Sequence, residues 1–165
     1  MWKIIRMSAL VLTVIFLVAG CGGKDSTAHR GEKYPATTTI IPTFQPDQVP
    51  VSCRVFSHLF VWLPGGSNGK TIALAVEQEA KAHGADMLLI GGSRQAEDDN
   101  GLDFIYYGPE KEYKCRDKWC GWKFGYDVWS EQGDWVNLGY KEWANGGVSF
   151  DFPIVMQAAF LRCQE

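Results

Sequence analysis

The pattern that most restricts the fold is an apolar strand, an amphipathic helix and a second apolar strand within residues 51–90. Residues 51–63, VSCRVFSHLFVWL, are rich in β-branched and aromatic residues, which predicts a strand. Residues 70–83 predict a helix, because apolar residues recur at helical spacing and Gly84 stands where a left-handed cap would end it. Residues 87–90, MLLI, predict a short buried strand. We therefore expect a β-α-β unit.

The rest of the chain lacks such periodicity. Gly91 and Gly92 are expected to end the second strand, and residues 102–107 and 123–128 are candidates for further short strands. Residues 153–162 predict a closing strand, with a helix as the alternative. Together these patterns predict an α+β fold: one small domain with the β-α-β unit packed on a short mixed sheet, plus an irregular insertion rich in glycine and aromatic residues.

Aromatic residues are concentrated in this insertion, residues 94–152, which holds five of the seven tryptophans. Flat rings interleaved with Asp and Asn side chains are typical of surfaces that stack on sugars or peptides and hydrogen-bond to them. The candidate ligand-binding residues are therefore Trp119, Trp122, Trp129, Trp135 and Trp143. The alternative is that these rings cover an irregular subdomain, with their indole N–H groups bonded to the backbone.

Five cysteines are present, and setting Cys21 aside leaves an even number. In an oxidising compartment, four cysteines predict two disulfides. Three pairings are possible. We favour Cys115 with Cys120, which are close in sequence, and Cys53 with Cys163, which would tie the first strand to the last. A zinc site that uses the Cys115-x4-Cys120 spacing is the alternative, although no histidine lies near it in the sequence.

The N-terminus has the three parts of an export signal. Its apolar stretch, residues 8–19, is too short to span the roughly 30 Å hydrocarbon core of a bilayer comfortably. Val18-Ala19-Gly20-Cys21 then resembles the lipobox of bacterial lipoproteins. The resemblance implies cleavage before Cys21, lipid on its sulfur and a stable membrane anchor, and Gly22 favours the outer membrane in a cell that has two. An ordinary secretory signal with a chance cysteine is the alternative.

The sequence thus divides into a signal peptide over residues 1–20, a lipidated tether over residues 21–50 and a folded domain over residues 51–165. The tether is rich in Pro and Thr and poor in large apolar residues, so we expect it to be mobile or extended. Once Lys3 and Arg6 leave with the signal peptide, the formal net charge of −3 becomes −5. This charge speaks against nucleic acid as a partner.

Two motifs suggest ligands but fit poorly. Residues 64–71, PGGSNGKT, lie between a strand and a helix as a phosphate-binding loop would, but Pro64 stands where the first glycine is required. A turn with Asn68 near the helix N-cap is the better interpretation. The acidic run of residues 97–103 offers oxygen ligands for calcium, yet its spacing does not match an EF-hand, and a solvated turn is the alternative. We predict no cofactor and no metal.

A catalytic constellation is not evident in the sequence. His58 is a lone imidazole on the first strand, and Cys53, the nearest thiol, is better explained by a disulfide. Residues 75–90 resemble small disulfide-braced α/β lipoproteins of the bacterial envelope, among them the outer-membrane sensor of the Rcs envelope-stress pathway. The resemblance implies a helix packed on a short sheet.

These observations favour a membrane-anchored, non-enzymatic binding, docking or sensing module of the cell envelope. Its expected partners are the membrane, through lipid on Cys21, and another envelope protein or a glycan. A glycan- or peptidoglycan-binding module that uses exposed tryptophans is the first alternative, and a purely structural lipoprotein is the second.

Overall fold

The computed structural model describes residues 32–108, 112–115, 118–122 and 124–163, with residues 112–122 described by their backbone alone. The predicted signal peptide and Cys21 lie outside this part. The described chain forms one small domain with an α+β fold, as predicted. Among the described residues, no helix has the length and apolar character needed to cross a bilayer.

A five-stranded mixed sheet forms the centre of the domain. Its strands are β1 (Ile41–Thr43), β2 (Cys53–Leu63), β4 (Met87–Gln95), β5 (Asp103–Tyr107) and β9 (Ile154–Cys163), in the order β1-β4-β9-β2-β5. The helices are α1 (Gly69–Ala82) and α2 (Tyr126–Ser130). Two further antiparallel pairs join β3 (Ser67–Asn68) to β8 (Ser149–Phe150), and β6 (Glu112–Cys115) to β7 (Lys118–Trp122).

The predicted β-α-β unit consists of β2, α1 and β4. Both strands pair antiparallel with β9, which lies between them, so β2 and β4 run parallel to each other. The strand end predicted at Gly91 and Gly92 is wrong, because β4 continues through both glycines. Its pairing with β9 shifts register between Ile90 and Ser93, which marks a β-bulge. Glycine weakens a regular strand but accommodates the altered backbone of a bulge.

A capping box begins α1. The Asn68 side chain accepts a hydrogen bond from the Thr71 amide at 2.9 Å, and the Thr71 hydroxyl accepts one from the Asn68 amide at 3.1 Å. The helix stops before Gly84, whose φ of +82° lies in the left-handed region that favours glycine. Residues 64–71 are therefore a strand-to-helix turn with Asn68 as the N-cap, as the sequence predicts.

The sheet buries apolar side chains on both faces. On one face, Ile72, Val76 and Ala80 of α1 pack into the main core cluster. The sheet residues of that cluster are Phe56, Leu59, Val61, Leu63, Leu88, Ile90, Tyr106, Ile154, Met156, Ala158 and Phe160. On the other face, Phe124 and Trp129 from the α2 region pack against Phe60, Trp62 and Val155. The helix α1 and the α2 region thus enclose the sheet from opposite sides.

The central strand β9 ends at a disulfide. Cys163 is joined to Cys53, the first residue of β2, as predicted. The predicted closing strand is confirmed, and the helical alternative for residues 153–162 is wrong. Because β9 is buried on both faces, its side chains show no polar alternation that would separate strand from helix in the sequence. The side chains of Cys115 and Cys120, and with them the second predicted disulfide, lie outside the described part.

Residues 32–44, which we call the N-terminal strap, belong to the folded domain. The Thr37 amide donates to the Lys81 carbonyl at 3.0 Å, and the Ile41 amide donates to the Asp86 carbonyl at 3.0 Å. From there β1 pairs in parallel with the start of β4. The predicted tether therefore gives way to ordered structure well before residue 50.

Aromatic anchors hold the strap to the domain. The Tyr34 ring packs edge-on against Phe56 with 5.0 Å between ring centroids, and the Arg162 guanidinium lies 5.8 Å from the Tyr34 centroid. Farther along, Phe44 packs against the main core cluster. The sequence predicted a segment that is mobile or extended up to residue 50. The strap is ordered rather than mobile, because a few well-placed rings give it enough buried contact to offset its ordering entropy.

The segment predicted as a strand over residues 123–128 instead leads into α2. Gly125 has a left-handed φ of +57° and stands before the helix, whose Trp129 amide donates to the Gly125 carbonyl at 2.9 Å. A Cβ at Gly125 would lie 2.6 Å from Cε2 of Phe60. Close packing of this turn on β2, rather than pairing with a neighbouring strand, determines the local structure.

Candidate ligand-binding cleft

An open cleft of about 190 Å³ lies along the outer edge of β4. Its lining residues are Phe44, Ile90, Gly91, Gly92, Ser93, Trp135, Val136, Asn137, Leu138 and Gly139. The pairing of β1 with β4 ends at Leu89. Farther along the same edge, the Val136 amide donates to the Ser93 carbonyl at 2.9 Å and Trp135 bridges Arg94. The cleft therefore occupies the gap between two stretches of backbone pairing.

The β4 bulge lets an indole ring approach the backbone at this gap. A Cβ at Gly92 would lie 2.8 Å from Cζ3 of Trp135 and 3.4 Å from Cζ2 of Trp129. The first of these distances is too short for any side-chain carbon, so a residue larger than glycine would displace the Trp135 ring. The glycine at position 92 thus determines where this cleft-lining ring lies.

Trp135 is exposed but held in place. Its relative exposure is 70%, yet its ring packs edge-on against Trp129 at 5.7 Å between centroids, and the Arg94 guanidinium lies 5.6 Å from its centroid. Arg94 is itself fixed, since Nε donates to the Gly133 carbonyl and Nη1 to the Trp129 carbonyl, both at 2.8 Å. The indole is therefore preorganised by its neighbours while much of its surface remains accessible to a ligand.

A polar turn follows Trp135. Asn137 Nδ2 donates to Glu142 Oε1 at 3.0 Å, and Glu142 Oε2 accepts from the Gly139 amide at 3.0 Å. These two bonds fix the plane of the Asn137 amide at the exposed rim of the cleft and leave its carbonyl oxygen as an acceptor for a ligand.

Phe44 of the N-terminal strap lines the cleft opposite this turn. Its ring packs edge-on against Tyr140 and Trp143, each with 6.0 Å between centroids. Tyr140 is 82% exposed, whereas Trp143 is buried and donates its indole N–H to Glu77 Oε1 at 3.0 Å. Tyr140 thus adds a second exposed ring next to the cleft.

Ser93 contributes a buried hydroxyl to the lining. Its Oγ has no hydrogen-bond partner in the part of the chain that the structure describes, and the residue is only 3% exposed. A buried hydroxyl without a partner costs about 1–3 kcal/mol. Such groups are rare in structures, and a bound molecule or an ordered water would account for this one.

The structure describes the side chains of three of the five tryptophans predicted as ligand-binding residues, and these three do not share one exposed surface. Trp135 alone among the described three is exposed. Trp129 and Trp143 are 8% and 7% exposed and belong to the two core clusters, so the prediction that they present faces to a ligand is wrong. Their rings are needed to cover the sheet, which is the alternative that the sequence left open. The side chains of Trp119 and Trp122 lie outside the described part.

His58 and the acidic run, which the sequence also offered as candidates, take part in the packing and turns of the domain. His58 is buried with its ring 5.0 Å from that of Phe124. In the acidic run, Asp99 Oδ2 accepts from the Gly65 amide and Oδ1 from the Gly101 amide, both at 3.1 Å. The Asp99 carboxylate therefore stabilises a turn within the run and also bonds to Gly65, at the start of the connection between β2 and α1.

A separate polar cluster lies at the C-terminal end of α1. The Tyr106 hydroxyl donates to Glu79 Oε1, and His83 Nε2 lies 3.1 Å from the same oxygen. Burial, and then the hydrogen bond to Glu79, raise the pKa of Tyr106 well above its usual value. These residues brace the helix end against the sheet and do not line the cleft.

Two cleft residues were not anticipated from the sequence, because Phe44 lies in a stretch predicted as tether and Ser93 carries no motif. Asn137 is one of the Asn and Asp side chains interleaved with the aromatic rings, which the sequence suggested as ligand contacts. The one available signal is the Gly91-Gly92 pair inside an apolar run, because an isolated glycine step in a strand pattern indicates a bulge or a close approach.

Comparison with known proteins gives no match at the level of families, curated sequences or solved structures.

Proposed function

We propose that this protein is a lipid-anchored, non-enzymatic binding module of the cell envelope, and that the cleft beside β4 is its recognition site. Anchoring rests on Val18-Ala19-Gly20-Cys21, which resembles a lipobox, and in a cell with two membranes Gly22 favours the outer one. The proposed anchor would be joined to the domain through the N-terminal strap, which contains the cleft residue Phe44.

The observation that carries the proposal is that Trp135 is exposed and yet fixed in position. Exposure of most of a large apolar ring is unfavourable in water, and the ring is not needed to fill the core. Nevertheless Gly92, Trp129 and Arg94 fix its position. A ring that is both exposed and preorganised is what a binding site requires, because little conformational entropy is lost when the ligand arrives.

The polar groups of the cleft favour binding over catalysis. Ser93 supplies a hydroxyl and Asn137 a carboxamide, which donate and accept hydrogen bonds but do not titrate near neutral pH. General acid–base catalysis needs a group that changes protonation near the working pH. The lining residues therefore supply contacts for a bound molecule rather than proton transfer.

Site-specific photo-crosslinking in living cells tests the recognition site. A benzophenone amino acid replaces Tyr140, an exposed ring beside the cleft, and as a matched control it replaces Leu74, an exposed residue of α1. We expect a reproducible adduct from position 140 and none from position 74. Equal labelling from both positions, or no adduct from position 140, would leave a purely structural lipoprotein as the better explanation.

The anchor is tested separately. Cells are labelled with an alkyne-bearing fatty acid, and the protein is compared with its Cys21→Ser variant. We expect label and membrane association in the wild type, and loss of both in the variant. An unlabelled wild-type chain released to the soluble fraction would contradict the anchor without affecting the cleft.

A further inference from the structure

We infer that the cleft binds one uncharged sugar ring of a surface glycan, an inference that rests on the proposed binding function and specifies its ligand. A pyranose ring has an apolar C–H face and hydroxyl groups around its edge. Its binding site therefore needs an exposed aromatic face beside fixed polar groups. The cleft offers an aromatic face and fixed polar groups, and the fold brings them together from segments that lie about 90 residues apart in the sequence.

The aromatic part of the site is formed by Trp135 and Phe44, which line the cleft, and by Tyr140, whose ring contacts Phe44. Trp135 and Tyr140 are the most exposed rings in the vicinity, at 70% and 82%. Each has an edge-on contact to a ring beneath it, Trp129 for the first and Phe44 for the second, so neither needs to reorient to stack on a ligand. Sugar C–H groups would stack on Trp135, and Tyr140 would contact the next residue of the chain.

The polar part of the site is neutral. Asn137 is oriented by Glu142, and its carbonyl oxygen points to no other described donor. The Ser93 hydroxyl lies buried in the lining without a partner among the described residues. Sugar hydroxyls both donate and accept, so they match an acceptor such as the Asn137 oxygen and a donor such as the Ser93 hydroxyl.

Size and charge exclude several other ligands. At about 190 Å³ the cleft is smaller than the roughly 300–1,000 Å³ typical of sites for drug-sized molecules, so it holds one ring rather than a whole oligomer. None of the lining residues is charged. Arg94 and Glu142 lie beside the cleft rather than in its lining, and backbone or amide groups hold both of them. A phosphate or a charged peptide would therefore meet no counter-charge among the lining residues.

The exposed apolar area is too small for a stable protein partner. Trp and Tyr side chains bury roughly 150–250 Å² each when fully covered. Trp135 and Tyr140 together thus offer well under the roughly 800 Å² that each partner contributes to a standard protein interface. Among the side chains that the structure describes, the other strongly exposed apolar ones lie outside the cleft lining, at Ile41, Val51, Leu74, Leu102 and Tyr126. This area suits a sugar ring better than a docked protein.

The test is a titration of the mature, lipid-bearing protein in detergent micelles with three neutral trisaccharides: chitotriose, cellotriose and maltotriose. The protein carries 5-fluorotryptophan, and its fluorine NMR spectrum is recorded at each addition. The Trp135 resonance is identified from its absence in Trp135→Phe. We expect at least one trisaccharide to shift this resonance saturably, and the resonances of the buried Trp129 and Trp143 to stay in place.

Variants test which residues contact the sugar. Trp135→Ala is expected to raise the dissociation constant at least tenfold, and Asn137→Ala several-fold. Tyr126→Ala, which removes an equally exposed ring from α2, should leave it unchanged. Circular dichroism of each variant verifies that the fold is retained. If no trisaccharide shifts the Trp135 resonance up to about 10 mM, where even millimolar affinity would be visible, the sugar inference is overturned.

The crosslinking outcome at position 140 in cells separates the two proposals. An adduct that resists proteases but is removed by glycan-degrading enzymes supports both. A protease-sensitive adduct, together with no response to the trisaccharides, keeps the binding module and overturns the sugar ligand. No adduct and no response overturns both.

Discussion

Gly92 lies so close to Trp135 that a Cβ atom at position 92 would be 2.8 Å from Cζ3 of the indole. The same hypothetical atom would be 3.4 Å from Trp129. Of the two rings, the exposed Trp135 is the freer to move, because Trp129 is buried in the core on the α2 side. The geometry of the cleft therefore depends on the absence of a side chain in the β4 bulge.

We expect Gly92→Ala to displace the Trp135 ring and to destabilise the domain by about 1–3 kcal/mol, the usual cost of overpacking. The fluorine resonance of Trp135 should move, and binding at the cleft should weaken. Gly146→Ala is the matched control, since a Cβ there meets nothing closer than 3.8 Å. An unchanged Trp135 resonance in Gly92→Ala would contradict the dependence of the ring on this glycine.

The disulfide between Cys53 and Cys163 closes a sequence separation of 110 residues. In the chain-entropy model, removing a cross-link of this length lowers the free energy of unfolding by about 5 kcal/mol. We expect this loss in the Cys53→Ser/Cys163→Ser double variant, measured by urea denaturation. Dithiothreitol should reduce wild-type stability at least to the level of the double variant.

The same variant tests the second predicted disulfide. If Cys115 and Cys120 are also joined, dithiothreitol should destabilise the double variant further. If they are not, the reductant should have no effect on it. Equal stability of the wild type and the double variant would show that the Cys53–Cys163 bond does not constrain the unfolded chain.

The N-terminal strap should detach before the rest of the domain unfolds. Its contacts are few, and the disulfide at Cys53 holds the following strand independently. We expect Tyr34→Ala, which removes the contact with Phe56, to accelerate amide exchange at Thr37 and Ile41 about tenfold or more, corresponding to roughly 1.4 kcal/mol or more of local opening energy. Exchange in β9 should change little.

The exposed Lys33 provides the control for the strap, because Lys33→Ala removes a long side chain from the same segment without a ring contact. Equal exchange rates at Thr37 and Ile41 in the Tyr34→Ala, Lys33→Ala and wild-type proteins would show that Tyr34 does not hold the strap.

Tyr106 should make the domain sensitive to alkali. The folded protein raises the pKa of Tyr106 above its usual 10.0, chiefly through burial and then through the bond to Glu79. Since the folded state keeps the phenolic proton more tightly than the unfolded chain, this stabilisation is fully present below pH 10 and is lost as the pH rises above 10.

Urea midpoints of the wild type and Tyr106→Phe, compared from about pH 8 to pH 11, check this expectation. The variant keeps the ring but has no ionisable group, so its stability should fall less steeply above pH 10. Parallel curves for the two proteins would contradict it. Tyr107, whose pKa is also raised by burial, is present in both proteins and cancels in the comparison.

The sequence predicts best those elements that local patterns specify. The helix α1 is recognisable from its apolar spacing, from Asn68 at its start and from Gly84 at its end, because caps and periodicity act within a few residues. The disulfide between Cys53 and Cys163 followed from the expectation that the first and last strands meet. These features position β2, α1, β4 and β9, and with them the α+β fold.

The cleft could not be predicted, because it depends on contacts between distant segments. β1 has three residues with Pro42 in the middle, and becomes a strand only by pairing with β4. Residues 133–136 have no strand pattern, and their position follows from backbone bonds to Ser93 and Gln95. Which tryptophan is exposed likewise depends on this packing, since all five occur in similar local sequence.

Trp143 and Trp135 should differ in what their removal affects: the buried Trp143 should matter for stability, and the exposed Trp135 for binding. Trp143 is buried in the main cluster, contacts Phe44 and donates its indole N–H to Glu77, so Trp143→Ala should lower the free energy of unfolding by about 3–5 kcal/mol. Trp135→Ala removes an exposed ring and should lower it by less than about 1 kcal/mol. Urea denaturation measures both.

Ligand binding should show the reverse order. Trp143→Phe keeps most of the buried volume, and we expect it to bind the cleft ligand nearly as well as the wild type, whereas Trp135→Ala should lose binding despite its near-normal stability. A large loss of stability in Trp135→Ala would mean that the ring supports the fold rather than recognition. A strong loss of binding in Trp143→Phe that is still folded would show that recognition also depends on Trp143, which packs against Phe44.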